Sequence, residues 1–578
     1  MVLIALALAS AAPGLTRIPV LDRDEARYAQ ATRQMLETGD FIEIRVQNEA
    51  RNKKPIGIYW MQAAAVAATE SVAGGLDAIW AYRLPSVFGA ILAVLATFWG
   101  GIALVGRRAA FLGACLLAPV LLLSTEAMTA KTDAMLCGLI ALAMAALARL
   151  RERMNAGRGL ALVFWVALGL GALVKGPVAP MVVTLATGVL LIWERAPSGV
   201  HARWMRPLFH WTGPALAALI VLPWFIAIEI ITAGGFAHDA FFGDISPKVA
   251  TAAEGHGGLP GYHLALLALS FFPATIGLVP GLALAWDGLR TPGRDGAQAG
   301  IRFLIAWALP TWLVFEFVGT KLPHYVLPVF PALALLAGAG LVVADERRWR
   351  VTPMLSVLLF AVGAAAFVGL IAYVSMFLPG DAAGAHARMI LVASIGAAVA
   401  LGALLALLMF RSAPARAAIA IGLALVATWT LRDGILPQAR TLFVSAEAAG
   451  ALERANLLER APLVIGFLET SLVFETRTDA RLMPIGEPAF VALQSAPAGT
   501  PVLMDCDVAA FAQLRDWSFR AIGPDIEGLN YANGDHVCLR PGIAGEMTDE
   551  ERARFLEGAS RGAPERRLNA PVPQQEGE

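Results

Sequence analysis

Five charges crowd the six residues DRDEAR (22–27): Asp22, Arg23, Asp24, Glu25 and Arg27. They follow directly on an apolar opening stretch, in a chain that is only 16% charged. A carboxylate placed there can take a proton from an attacking hydroxyl, provided that neighbours and partial burial tune it. It can also simply open a helix. Asp22 or Asp24 would then be the N-cap, Tyr28, Ala31, Met35 and Leu36 the apolar stripe, and Gly39 the C-cap. Capping needs one acid and leaves the other acid and Arg27 unexplained. The two roles are compatible, because a helix lying at a membrane surface would hold Asp24 at its N-terminus.

A second pattern lies in the lysines. Of 45 basic residues only six are lysine: Lys53, Lys54, Lys131, Lys175, Lys248 and Lys321. Their settings repeat one logic. "RNKKPIGIYW" (51–60) sets two cations before a proline and an aromatic pair. "ALVKGPVAP" (172–180) places Lys175 before a helix-breaking Gly-Pro, and "GTKLPHYVLP" (319–328) gathers Lys321, Pro323, His324 and Tyr325. In "TAKTDAML" (129–136) Lys131 precedes Asp133 by two residues. An ammonium is a compact point charge suited to an anionic group at headgroup level, and a lipid phosphate is the natural candidate.

Long apolar runs must position these groups. The chain has 578 residues, 57% hydrophobic, with no net charge. Its runs approach the ~20 residues that cross a bilayer as helix, and about 13 spans are expected, ending near Thr428. The opening stretch lacks the basic flank of a signal peptide and reads as a first span. Seventeen arginines, from Arg107 and Arg108 to Arg411 and Arg416, fall in alternate connections. The positive-inside rule makes that side cytoplasmic, which leaves the loop 22–60, every lysine and the segment after about residue 435 outside. Residues 1–435 therefore form a transmembrane domain and 436–545 a small α/β domain outside the membrane. The polar tail 546–578 is expected to be poorly ordered. Strand-like runs at 461–469, 501–508 and 535–542 alternate with helix-like stretches at 446–457 and 507–515. Cys115 and Cys137 read as packing residues, whereas Cys506 and Cys538 lie where an oxidising compartment permits a disulfide. No zinc-type spacing and no solenoid repeat is present.

Together these segments resemble the family 39 glycosyltransferases and the aminoarabinose-transferase type of membrane enzyme. Those proteins are related to the protein O-mannosyltransferases and share the multispan GT-C fold. "DRDEARYAQATRQMLETGDF" (22–41) is similar to the family's Asp-Glu-x-Arg-Tyr-Ala motif, and "KKPIGIYWMQA" (53–63) to its Lys-Pro…Tyr-Trp motif. "KTDAML", "LVKGPVA" and "KLPHYVLPVFPALALL" follow in order, so the motifs cover about residues 1–340. The resemblance implies sugar transfer from a polyprenyl-phosphate carrier to a lipid, glycan or protein acceptor at the periplasmic face of a bacterial inner membrane. On that pattern Asp24 is the catalytic carboxylate and Asp133 a second acid. Lys54, Lys175 and Tyr325 lie near the donor phosphate, with Arg27 and Lys321 as additions. Glu25, Lys53, Lys131 and His256 become acceptor or loop contacts. Part of the family holds a divalent metal through an acid where this chain has Lys53; that replacement counts against a divalent metal, which stays open as the one candidate cofactor, and no metal ligand is assigned. Asp22-Arg23-Asp24 has the form of a nucleotide-sugar metal motif, but no βαβ pattern surrounds it and nucleotide sugars are cytoplasmic. A transporter or flippase of an anionic lipid-linked substrate is the competing class, and an idle homologue serving as a binding subunit is a third.

Overall fold

The computed structural model describes residues 1–152, 158–193, 201–250, 257–290, 296–347, 351–514, 519–531 and 533–545. His256 and the tail 546–578 lie outside these residues. The chain divides into two compact parts, Met1–Thr441 and Leu442–Glu578. The division falls a few residues beyond the expected 435, because the tight turn Leu436–Gln438 continues the last helical run.

Seven helices of the first part matter most for function. They are α1 (Val2–Ala11), α2 (Asp24–Thr38), α3 (Gly57–Ala73), α4 (Ile79–Leu117), α5 (Leu121–Ala127), α6 (Asp133–Glu152) and α7 (Arg158–Lys175). Nine helices among the described residues are long and apolar enough to cross a membrane. Two more, α1 and Val178–Trp193, are apolar but shorter. The count differs from the roughly 13 runs expected partly because α4 doubles back on itself. Gly106 sits at φ 79°, a conformation that costs glycine nothing and breaks the helix. The Phe98 and Phe111 rings then lie 6.0 Å apart, whereas thirteen residues of straight helix would separate them by about 20 Å. One hydropathy run is thus two antiparallel arms.

Small residues set how closely the arms and α6 pack. A Cβ on Gly89 would lie 2.4 Å from the Met135 Cα, and one on Gly138 would lie 2.4 Å from the Gly89 carbonyl oxygen. Between membrane helices such close backbone approach replaces the hydrophobic drive that lipid removes. The chain directions follow. Asp133 opens α6 and Arg149 and Arg151 lie in its last turn, while Arg158 opens α7 and Lys175 ends it. Asp133 and Lys175 therefore share one end of the bundle, and the arginines gather at the other.

The last span returns to the first. Trp429 donates its indole N–H to the Ala9 carbonyl (2.9 Å), and Arg432, buried, donates to the Ser124 carbonyl (2.9 Å) and the Thr125 hydroxyl (2.6 Å).

In the second part, Leu463–Ile465 lies between Arg481–Met483 and Pro501–Asp505, parallel to both. Asp535–Ala544 adds antiparallel to Pro501–Asp505 and carries Phe519–Ala521 and Ile526–Asn530. Leu463, Ile465, Val502, Met504 and Phe519 pack with Glu487–Gln494 and Cys506–Leu514, while Val464, Leu503 and Leu539 form a second cluster with Val444–Arg454. Val444–Arg454 and Cys506–Leu514 are the helices expected near 446–457 and 507–515. Cys506 and Cys538 form a disulfide, with Cα atoms 5.4 Å apart. Cys115 and Cys137 are buried thiols.

Candidate active site

Asp24 is the first residue of α2, but neither it nor Asp22 caps the helix. Arg23 holds the N-cap position at φ 59°, a strained backbone for a side chain with a Cβ, and no side chain caps the turn. Gly39 ends the helix in the left-handed conformation as expected, and Tyr28, Ala31 and Met35 are buried. The orphan amide of Leu21 goes to the Glu25 Oε2 atom (2.9 Å) instead. Glu25, expected at an acceptor or loop contact, is a structural group. It is 1% exposed, accepts from Arg83 at both oxygens (2.9 Å each) and from the Ala130 amide (2.6 Å). Arg83 spends its remaining donors on the carbonyls of Leu15, Ile18 and Pro19 (2.8, 2.9 and 2.9 Å). This knot fixes the start of α2 against α4 and the 130 turn, so Asp24 is aimed by its own neighbour.

The Asp24 carboxylate makes no hydrogen bond or ion pair among the described residues, and the residue is exposed. Lys131, Arg51, His324 and Arg27 lie within electrostatic reach. Lost hydration by itself would raise its pKa, but the cationic Lys131, Arg51 and Arg27 outweigh that cost and hold the carboxyl below the usual carboxylate value. The helix N-terminus adds to the effect. Arg51 was not singled out in the sequence. Its guanidinium stacks on the Tyr28 ring (5.0 Å) and donates to the Tyr59 hydroxyl (3.2 Å), which fixes a permanent charge beside Asp24.

Next to Asp24 lies an alternating charge network. Lys175 Nζ is 2.5 Å from Asp133 Oδ1, and Lys131 Nζ is 3.0 Å from Glu126 Oε2. His324 sits between the acids, Nδ1 3.9 Å from Glu126 and Nε2 3.9 Å from Asp133. Tyr325 stacks edge-on with His324 and packs on Phe315. Glu126, buried on α5, is a member that sequence reasoning missed.

Lys54 faces Asp244, a second missed residue. Asp244 lies on the wide-turn helix Asp239–Ile245, is 4% exposed, and pairs through one oxygen with Lys54 and through the other with Lys248 (2.6 Å). Burial, with Lys248 and Lys175 nearby, lowers Lys54 to about 8 despite Asp244. Asp244 itself stays ionised, because the two ammonium groups outweigh its burial. Lys53 is exposed. Lys321 lies elsewhere: it closes the helix Gly296–Phe317 by donating to the carbonyls of Phe315, Glu316 and Val318 (3.2, 2.6 and 2.5 Å). A lysine near a helix C-terminus meets carbonyls that lack partners, and this one is spent there.

Two donor sets bear on a metal. Lys53 supplies no carboxylate at the position where the sequence resemblance expects an acid in part of the family. Glu126, Asp133 and His324 bring ligand atoms within 4.8 Å of one another. An ammonium already sits on each of the two acids and would repel a cation, so this set does not fit a resident divalent ion.

With this geometry in hand, the class is that of the GT-C membrane proteins. A crystal structure of ArnT from Cupriavidus metallidurans bound to undecaprenyl phosphate superposes with a TM-score of 0.72, over 93% of this chain and 97% of that one, at 21% identity. The same protein in its apo state matches equally. The dolichyl-phosphate-mannose-protein mannosyltransferase family matches residues 20–235, the stretch that carries Asp24, Lys54, Asp133 and Lys175. Among curated relatives, the undecaprenyl phosphate-alpha-4-amino-4-deoxy-L-arabinose arabinosyl transferase of Aeromonas hydrophila is 28% identical over 59% of this chain and 60% of its own length. One such transferase of Sodalis glossinidius is 30% identical over 57% and 56%. The chain thus spans about 60% or less of the length of these relatives. The family 39 and aminoarabinose-transferase resemblance of the motifs and the GT-C architecture agree.

Proposed function

We propose that the chain transfers a sugar from a polyprenyl-phosphate carrier to a lipid, glycan or protein hydroxyl, lipid A among the lipid acceptors, at the outer face of a bacterial inner membrane. One observation carries this reading: an ionised carboxylate without a hydrogen bond, at a strained helix start, beside a cluster of lysines at one end of the bundle. Asp24 takes the proton of the acceptor hydroxyl as that oxygen bonds to the anomeric carbon. The bond from that carbon to the phosphate oxygen breaks, and its electron pair stays on the polyprenyl phosphate. Lys54 and Lys175 stabilise the charge that grows there, having been positioned beforehand by Asp244 and Asp133. Asp133, with His324 and Lys131, orients the acceptor. No step is assigned to a metal.

Two observations support this orientation. The arginines of α6 and α7 lie at the end away from Asp133 and Lys175. By the positive-inside rule this supports a site on the periplasmic side. A disulfide in the small domain fits an oxidising compartment. Ionisable groups at helix ends rather than at mid-span disfavour a transporter. The test is transfer of radiolabelled sugar from a polyprenyl-phosphate donor in membranes carrying the wild type or Asp24→Asn at equal expression. The variant should lose about 10²- to 10⁴-fold in rate while still binding donor. Equal transfer by both proteins would remove Asp24 from the mechanism.

A further inference from the structure

The transfer scheme gives Asp244 a supporting part at most, yet it holds the most enclosed position among the groups around Lys54. Its two oxygens bridge Lys54 and Lys248, which is how a phosphate would bridge the same two ammonium groups. Without a resident anion Lys54 and Lys248 would face each other as two uncompensated charges, since the nearby Lys175 is already paired with Asp133. The turn that carries Asp244 is a wide-turn helix, a form that recurs at functional sites. It is tethered by the Asn52–Asp239 contact (3.0 Å) and by the Thr320 amide on the Lys248 carbonyl (3.0 Å). Phe241 and Phe242, exposed on the same turn, offer apolar surface for an isoprenoid chain beside the charged seat.

We propose that Asp244 is a competing anion seated between Lys54 and Lys248, displaced when the donor phosphate binds and returning to expel the phosphate product. The proposal rests on the glycosyl-transfer reading. The donor is a phosphodiester with one negative charge, whereas the product is a monoester with about −1.5 to −2 at pH 7. Two free ammonium groups would hold the product more tightly than the donor and stall turnover. A carboxylate that reoccupies the seat corrects that imbalance without a moving domain. If it holds the seat about nine-tenths of the time, apparent phosphate affinity is about tenfold below the intrinsic value.

The experiment measures undecaprenyl phosphate binding to the full chain in lipid nanodiscs, together with donor KM and kcat. Asp244→Asn should bind the lipid phosphate about tenfold more tightly, with lower KM and lower kcat through slow release. Glu70→Gln, an exposed acid near the end of α3, should leave affinity unchanged. Lys248→Gln should weaken binding, and this arm stands even where Asp244→Asn fails to fold. Unchanged or weaker binding by a folded Asp244→Asn, or unchanged binding by Lys248→Gln, overturns the proposal while wild-type binding keeps the transfer reading intact. Absence of binding by the wild type overturns both.

Discussion

Among single residues, Lys54 makes the sharpest pH prediction. Its ammonium titrates near 8, so the charged form that a phosphate needs predominates below that pH and is lost above it. Donor KM should therefore be level from pH 6 to 7 and rise as pH passes through about 8, measured by initial rates across a buffer series. Lys54→Gln should raise KM by about 10- to 100-fold, the worth of a charge-assisted contact, and should flatten that rise. Asp24 makes the opposite statement. Its carboxyl is held below the usual carboxylate value, so acidification to pH 5 should not slow proton abstraction. The motif residues Asp24, Lys54, Asp133 and Lys175 were legible because each stands in a short, unusual setting. Asp244 and Arg51 were not. Asp244 meets Lys54 across 190 residues, and no local pattern announces such a pairing. Lys321 and Glu25 show the converse: a setting that looked chemical turned out to satisfy backbone groups and a buried arginine.

At the scale of elements, the start of α2 depends on the Glu25–Arg83 pair. Both side chains are wholly buried, so removing the arginine strands a carboxylate. Arg83→Ala should cost about 3–5 kcal/mol, seen as a lowered unfolding midpoint in detergent. Glu25→Gln combined with Arg83→Met should recover part of that loss, since a neutral pair leaves no buried charge. The α4–α6 contact makes a second prediction. A leucine at Gly138 has no room against the Gly89 carbonyl and must push α6 away, so Gly138→Leu should reduce folded yield on size-exclusion chromatography. Helix existence was readable from apolar runs. The fold-back at Gly106 was not, because hydropathy does not distinguish one 39-residue run from two arms meeting at a turn.

The molecule as a whole joins a bundle of apolar helices to a small domain with its own sheet and disulfide. Closing a loop with a sequence separation of 32, the Cys506–Cys538 bond should stabilise that domain by about 3–4 kcal/mol. Cys506→Ser should make residues 442–545 the first segment cut in limited proteolysis of the full chain. The alternation of short strands and helices there was readable from sequence, whereas the strand order was not, because Asp535–Ala544 pairs with three partners set by register. The Arg432 contacts bear on how such a chain is made. Thr125, one residue before Glu126, receives its guanidinium partner from 307 positions later. At about 5–20 residues per second, the ribosome needs roughly 15–60 s to deliver it. During that interval α5 sits in a nascent chain whose acidic wall is unbraced, so the active end of the bundle is completed only when its final span arrives.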